Sequence, residues 1–304
     1  MSLSKGYSMS FKNLGLSDEL LNTIQKEGYS EATPVQERAI PLINKGMDIL
    51  AGAQTGTGKT AAFALPILNR LQQSKSNKRK VRALILTPTR ELAAQVNNSF
   101  RTYGIALPFK TIEIFGGVSM RPQKSKLKKG VDIVVATPGR LLDHLSQNTI
   151  DLSGVEVFVL DEADRMLDMG FKRDIEKVIK QLPERRQNLL FSATFPKEIQ
   201  KLASRLLNSP KKIQVASENS TAEKVKQTVY PVDQSRKREL LIHSIKENNW
   251  FQVLVFIKTK RAADKLTRQL NKKGILSDTI HGNKTQAARS KALEGFKKGK
   301  VQVL

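Results

Sequence analysis

Residues 48–60, DILAGAQTGTGKT, constrain this chain more than any other stretch. A short apolar strand (Ile49, Leu50, Ala51) runs straight into Ala53, Gln54, Thr55, Gly56, Thr57, Gly58, Lys59 and Thr60. A helix-forming run, AAFALPILNRL, follows at once. Strand, glycine loop and helix in that order give a phosphate-loop pattern a mechanism. Glycines at 56 and 58 let the backbone curl so that successive N–H groups point at phosphate oxygens. The helix opening near Lys59 adds its positive N-terminal end. Lys59 then reaches the β- and γ-phosphates, and the Thr60 hydroxyl sits on Mg²⁺. Ala53 holds the place that the strict pattern gives to glycine. The plainer reading is an ordinary glycine-containing loop. With Gly at about 7% of average composition, a chance match with the correct flanks is rare, so nucleotide binding is expected.

Charge says what else the chain meets. Lys and Arg number 52 against 28 Asp and Glu, a net +24 with a pI near 10.2. An excess of that size points to a polyanion, and the obvious one is nucleic acid. A membrane surface would call for an amphipathic basic helix, whereas the basic residues here are scattered over many elements. With no Cys there are no disulfides, thiolate metal sites or cysteine nucleophile. His144, His243 and His281 lie far apart without ligand spacing, which argues against zinc. The start, MSLSKGYSMSF, lacks an apolar core, and no run approaches the ~18 apolar residues of a membrane span. A cytoplasmic protein with no membrane role is expected.

Length allows two domains. Residues 11–28 read as a helical segment, with Leu16, Leu20, Leu21 and Ile24 at helical spacing. After the phosphate loop, strand-like runs at 82–87, 111–115, 131–135, 155–160, 188–191 and 211–215 alternate with helix-like stretches. That rhythm specifies a parallel sheet covered on both faces. Basic loops are expected at 75–82 and 121–130, as solvated charge. Residues 217–228 read as a linker between a domain over 1–216 and a second α/β rhythm over 229–304. The latter has strands at TVYPV, 252–257, LSDTI and 301–304, with helices between, one of them over 285–296. From Ser217 onward there are 19 Lys and Arg against 8 Asp and Glu, so this region is the more densely basic. A parallel strand at 301–304 without its crossover helix leaves one sheet face bare. The chain is expected to be a truncated form.

Residues 155–160, VEVFVL, form an apolar strand followed directly by Asp161, Glu162, Ala163 and Asp164. Carboxylates at the C-terminal edge of a central strand, beside a phosphate loop, are where a nucleotide's Mg²⁺ is held. Successive residues point to opposite faces. Asp161 can therefore take the metal while Glu162 positions and deprotonates the attacking water. The alternative, a solvated acidic helix cap, is even odds for this stretch alone and loses beside GTGKT.

Asp161, Glu162, Ala163 and Asp164 together with AQTGTGKT resemble the DEAD-box family of ATP-dependent RNA helicases, most closely its bacterial RhlE-like branch. Phe11, Gly28, Tyr29 and Gln36 match that family's adenine-recognition motif. Pro88, Thr89 and Arg90, then Gly116 and Gly117, then Thr137, Pro138, Gly139 and Arg140 match its RNA-contacting motifs. Ser192, Ala193 and Thr194, with Asp164, match the motif that couples ATP to strand separation. Lys258, Thr259, His281, Gly282, Gln286 and Arg289 match RNA-contacting positions of the second domain. The resemblance covers essentially the whole chain and implies two RecA-like α/β domains, the second incomplete. It implies ATP and Mg²⁺ as cofactors and RNA as partner, for a protein expected to be a monomer. A Gln amide offers donor and acceptor, so Gln36 can read the adenine edge, and Tyr29 offers a flat face or core packing. Thr89, Arg90, Thr137 and Arg140 lie at strand ends or helix starts, where backbone N–H groups and hydroxyls can hold phosphates and 2′-OH groups, with little sequence readout. ATP-driven closure between the domains would pry a short duplex apart.

The family's last two motifs, carrying its arginine fingers, lie beyond Leu304. Such arginines are worth ~10³–10⁵ in rate, so the chain by itself is expected to be a weak enzyme. A non-catalytic ATP- and RNA-binding fragment and a DNA-acting relative are the rival readings.

Overall fold

The computed structural model describes residues 9–54, 56–73, 80–214 and 226–304. Most of the expected linker and the first part of the 75–82 stretch lie outside the described residues. The chain divides into two units, Met1–Thr221 and Ala222–Leu304.

In the first unit a 3-10 turn (Phe11–Leu14) precedes α1 (Asp18–Lys26) and α2 (Pro34–Asn44). Strands and helices then alternate: β1 (Ile49–Gly52), α3 (Lys59–Gln73), β2 (Ala83–Leu86), α4 (Arg90–Tyr103), β3 (Thr111–Ile114) and α5 (Met120–Lys128). There follow β4 (Ile133–Ala136), α6 (Pro138–Ser146), β5 (Val157–Leu160), α7 (Ala163–Asp168), α8 (Lys172–Ile179), β6 (Gln187–Ser192), α9 (Lys197–Leu206) and β7 (Lys211–Gln214). The strands form one parallel sheet in the order β3-β4-β2-β5-β6-β1-β7.

Helices on both faces bury the central strands completely, which is why β2, β4 and β5 read as unbroken apolar runs. Their alternate residues supply two cores. Ala83, Ile85, Val157 and Val159 join Phe63, Phe100 and Phe191 on one face; Leu84, Leu86, Phe158 and Leu160 join Met166 and Ile175 on the other. At the outer edge β7 carries Lys211 and Lys212 exposed, charges that discourage further strand pairing. Asp48, at the foot of β1, ties three segments: it accepts from Asn188 N at 2.8 Å, Asn208 N at 2.8 Å and Asn188 Nδ2 at 3.2 Å.

Two expectations need correction. Residues 11–28 are a 3-10 turn and a separate helix, because Gly15 turns left-handed (φ +72°) and its carbonyl takes bonds from Asn44 and Asn69 at 3.1 and 3.0 Å. The 121–130 stretch is mostly helix α5, capped by Ser119, with Pro122 tolerated in its first turn.

The second unit has α10 (Lys237–Glu247), α11 (Lys260–Lys272) and α12 (Gln286–Lys297) around a small core of Ile245, Leu270, Ile275 and Val303. The four strands expected here are not regular strands. Val303 makes single parallel bridges to Val253 and Ser277, and TVYPV pairs with nothing among the described residues. Pro231 removes a ladder donor from that segment, and Val229 and Tyr230 stand exposed.

Candidate functional site

Strand order decides what meets at the carboxyl edge of the sheet. β5, β6 and β1 are neighbours, with Leu160 opposite Leu190 and Gly52 opposite Ser192. Asp161, Ser192 and Ala53 therefore arrive together, and Ala53 N donates to Ser192 O at 3.2 Å. Gly56 and Gly58 take φ of +86° and +88°, which curls the loop over this edge. A Cβ at Gly58 would also run into the Gln36 amide. Thr55 lies outside the described residues.

α2 holds that loop from the side. Thr33 Oγ1 donates to Thr57 O at 2.8 Å, and Gln36 Nε2 donates to Gly58 O at 3.1 Å. Gln36 Oε1 accepts from Thr33 N at 2.9 Å, and Thr57 Oγ1 donates to Gln54 O at 2.7 Å. Gln36 is 1% exposed, so both ends of its amide are engaged within the protein. Adenine contact by Gln36 thus needs its second N–H or lone pair, or release of Gly58. Thr33 escaped the sequence reading, although Thr33-x-x-Gln36 before an apolar run has the spacing of a capping box.

Two buried polar atoms of opposite sign lie at this edge. Lys59 Nζ, at the first turn of α3, and Asp161 Oδ1, just past β5, have no hydrogen-bond partner among the described residues. Lys59 is 7% exposed and Asp161 3%. Unpaired buried charge is costly. An ammonium and a carboxylate left open beside a glycine loop fit a phosphate group and its metal ion, with Thr60 partly exposed next to Lys59.

Burial pushes the Asp161 carboxyl up to about 6, with Lys59 pulling it down and Glu162 pushing it further up. A carboxyl titration followed by NMR on the ligand-free protein is expected to place Asp161 near 6. Because the folded value lies above the ordinary Asp value, the native state holds this proton more tightly than the unfolded chain. Stability from this group is fully present below about pH 4 and is lost as pH rises through about 6. An Asp161 titration in the ordinary range would contradict the burial.

Glu162 adopts the left-handed conformation (φ +54°, ψ +51°) as it starts α7. It lies 3.6 Å from Arg165 Nη1. Asp164 turns back to β6: its Oδ2 accepts from Thr194 N and Oγ1, both at 3.0 Å, while its N–H donates to Ser192 Oγ at 3.3 Å. Ser192 Oγ in turn donates to Thr194 O at 2.7 Å, and Ala193 between them is exposed. Phe11 is buried, and the Tyr29 ring meets Phe11 and Tyr103 edge-on, at 6.2 and 5.9 Å between centroids. The Tyr29 hydroxyl lies 2.9 Å from that of Tyr103. Both Phe11 and Tyr29 border an open cleft of about 790 Å³ with Gln25 and Gly28.

The other half of the edge gathers a different set. β3, β4 and β2 are neighbours and end in Gly116 and Gly117, in Thr137, Pro138, Gly139 and Arg140, and in Pro88, Thr89 and Arg90. Thr89 caps α4 by accepting from Leu92 N at 3.2 Å, and Thr137 precedes α6. The Arg90 guanidinium lies against Gly117 (φ +73°), where a Cβ would come within 2.6 Å of its carbon. Arg140 donates to Val118 O at 3.1 and 3.2 Å and faces Asp143 at 3.3 Å.

In the second unit Thr259 caps α11 by accepting from Ala262 N at 3.2 Å, with Lys258 exposed before it. Lys260 Nζ, close to Gly282, donates to Asn283 at 2.8 Å, and His281 Nε2 lies 3.2 Å from Asp264. Lys284 is 3.1 Å from the same carboxylate. Hydrogen bonds from His281 and Lys284 hold Asp264 below the usual carboxylate range. Arg289 Nη1 donates to Gln286 Oε1 at 3.1 Å on the first turn of α12. Asp264 is absent from the sequence reading, since nothing in the chain order joins it to His281. No His, Cys, Asp and Glu cluster able to hold a metal occurs among the described residues. Among the described residues no helix is long and apolar enough to cross a membrane.

Comparison with known proteins adds the following. The DEAD/DEAH box helicase profile matches residues 33–202, and the helicase conserved C-terminal domain matches residues 236–304. An ATP-dependent RNA helicase CshA of Listeria monocytogenes is 42% identical over 294 residues, 97% of this chain and 56% of that protein. A DEAD-box ATP-dependent RNA helicase RhpA of Helicobacter pylori is 41% identical over 295 residues, 97% of this chain and 59% of the relative. The chain thus spans a little over half the length of the curated relatives it matches. A crystal structure of a DEAD box protein from the hyperthermophile Methanococcus jannaschii superposes with a TM-score of 0.65 at 38% identity. That match covers 97% of this chain and 79% of the other.

Proposed function

Since the chain belongs to the DEAD/DEAH box helicase family, we propose that it works as an ATP-dependent RNA helicase of the DEAD-box type. The observation that carries this reading is the pair of open buried charges, Lys59 and Asp161, under a glycine loop at one end of the sheet edge.

ATP is the substrate, its phosphates in the loop from Ala53 to Thr60 and its base toward Gln36, Tyr29 and Phe11. Lys59 holds the β- and γ-phosphate charge. Asp161 and Thr60 would hold Mg²⁺, which neutralises charge developing on the phosphates when bound. Glu162 orients the attacking water and takes its proton. The bonds from Asp164 to Thr194 and Ser192 give a rigid link between the acidic loop and β6, suited to coupling the two ends of the edge.

In the first unit Thr89, Arg90, Gly116, Gly117, Thr137, Gly139 and Arg140 bind RNA; in the second unit Lys258, Thr259, His281, Gly282, Gln286 and Arg289 do so. Such contacts read backbone shape and phosphate charge, in keeping with the net +24. Residues 1–216 form the ATP-binding domain and 229–304 its RecA-like companion, in a cytoplasmic monomer.

Steady-state hydrolysis tests the reading. ATP is expected to be turned over in preference to GTP, with stimulation by unrelated single-stranded RNAs and none by duplex DNA. Stimulation by duplex DNA would make the protein a DNA-acting relative. Tight ATP and RNA binding without turnover would make it a binding module.

A further inference from the structure

The loop that follows β3 has a backbone carbonyl taken on each side of its glycine pair. On one flank Arg140 donates to Val118 O. On the other, Gln123 Nε2 donates to Phe115 O at 3.1 Å. Gln123 is buried in α5, and its Oε1 lies 3.1 Å from Nε2 of His144. His144 is 0% exposed, and its Nδ1 lies 2.7 Å from Thr149 Oγ1.

The proton positions follow from the partners. Gln123 gives its N–H to Phe115, so its oxygen must accept. His144 Nε2 therefore carries the hydrogen, and the single Thr149 hydroxyl proton is shared between Nδ1 at 2.7 Å and the His144 carbonyl at 3.0 Å. Burial, reinforced by Arg140 and Lys124, lowers the His144 pKa, which suits a neutral ring. Arg140 and His144 are four residues apart on α6, hence on one face. One face of one helix thus grips both flanks of the loop, directly at Val118 and through Gln123 at Phe115. An apolar side chain would fill the position of His144 without burying two polar nitrogens.

We propose that His144, acting through Gln123, is a positioning residue that holds Gly116 and Gly117 in the shape that meets an RNA backbone. It makes that loop and the start of α6 a single body. The functional half of this statement rests on the RNA reading above; the geometric half does not.

Three variants test it. His144→Phe keeps a ring of similar volume and loses both bonds. Gln123→Met cuts the link further along. His144→Gln restores a donor where Nε2 stood. Hydrogen exchange over residues 115–119 of the RNA-free protein is expected to rise about tenfold in the first two variants and to return towards native in the third. Affinity for a fluorescent single-stranded RNA is expected to fall roughly tenfold in the first two, with ADP affinity kept within about twofold. Unchanged exchange over 115–119 in His144→Phe and Gln123→Met overturns the proposal. An equal rise across the whole sheet also overturns it, because the network would then be ordinary core. If the native protein does not bind RNA, the helicase reading falls, and the exchange result still decides the positioning.

Discussion

In a form of the protein that spans the full length of its curated relatives, Glu162→Gln is expected to slow RNA-stimulated ATP hydrolysis by roughly 10²–10⁴-fold, the usual worth of a general base. Affinity for Mg²⁺ and ADP should stay near native. Glutamine has the shape of glutamate and can still orient a water, but it cannot accept the water's proton. Asp161 and Lys59, the groups assigned to metal and phosphate, are untouched. Nor should the loop rearrange. The left-handed conformation at 162 belongs to the backbone, and the Glu162 carbonyl remains bonded to Met166 N at 3.0 Å as α7 begins. Single-turnover hydrolysis with saturating RNA is the measurement. Cleavage at the native rate would remove Glu162 from the role of base.

Lys59→Met is expected to move function and stability in opposite directions. A charged donor bonded to phosphate contributes about 1.5–3 kcal/mol per bond, so nucleotide affinity should drop by roughly 10²-fold. The same ammonium has no hydrogen-bond partner among the described residues of the ligand-free protein. A methionine of similar length buries the stem without the charge, as in other sites where function costs stability. At pH 6 the ligand-free variant should therefore melt a few degrees higher than the native protein, corresponding to about 1–2 kcal/mol for a domain of this size. Loss of the Lys59 charge, which pulls Asp161 down, should also carry the Asp161 titration above its native value of about 6. Calorimetry with ADP and thermal melts in the absence of nucleotide check both signs. A variant that binds ADP normally, or that melts lower at pH 6, would show that Lys59 is already satisfied inside the protein.

Several readings made from residue order survive because their causes are local. The strand–glycine–helix run at 49–60 depends on neighbouring residues alone, and it folds as β1, loop and α3. Thr89 and Thr137 stand directly before α4 and α6, as residues after apolar strands should. The misreadings share a cause too. Residues 11–28 carry one helical period, but whether Gly15 breaks it depends on Asn44 and Asn69, distant in the chain. The 121–130 stretch does keep its charge solvated, with Arg121, Lys126, Lys128 and Lys129 exposed, but it is helical rather than a loop, burying Gln123 and Leu127 on one face of α5. In the second unit the apolar runs near 253, 277 and 303 do meet, through short parallel pairings such as Val253 N to Gln302 O at 2.8 Å and Val303 N to Leu276 O at 3.0 Å, too brief to make regular strands.

By itself, then, the amino-acid sequence determined the inventory: a parallel α/β chain, a strand–glycine loop–helix run, an acidic turn after an apolar strand, and a strongly basic composition. These follow from period, composition and short-range spacing. Tertiary structure decided how the inventory is divided. The order β3-β4-β2-β5-β6-β1-β7 sends the glycine loop, the acidic turn and Ser192 to one half of the carboxyl edge, and Arg90, Gly117 and Arg140 to the other. It also left Lys59 and Asp161 open while engaging both ends of Gln36. It placed His144 beneath a loop 27 residues earlier in the chain. The physical reason is that parallel strands are joined by crossovers of about a dozen residues or more, long enough to pass over other strands, so neighbours in the sheet are set by packing between helices and strands and not by order along the chain.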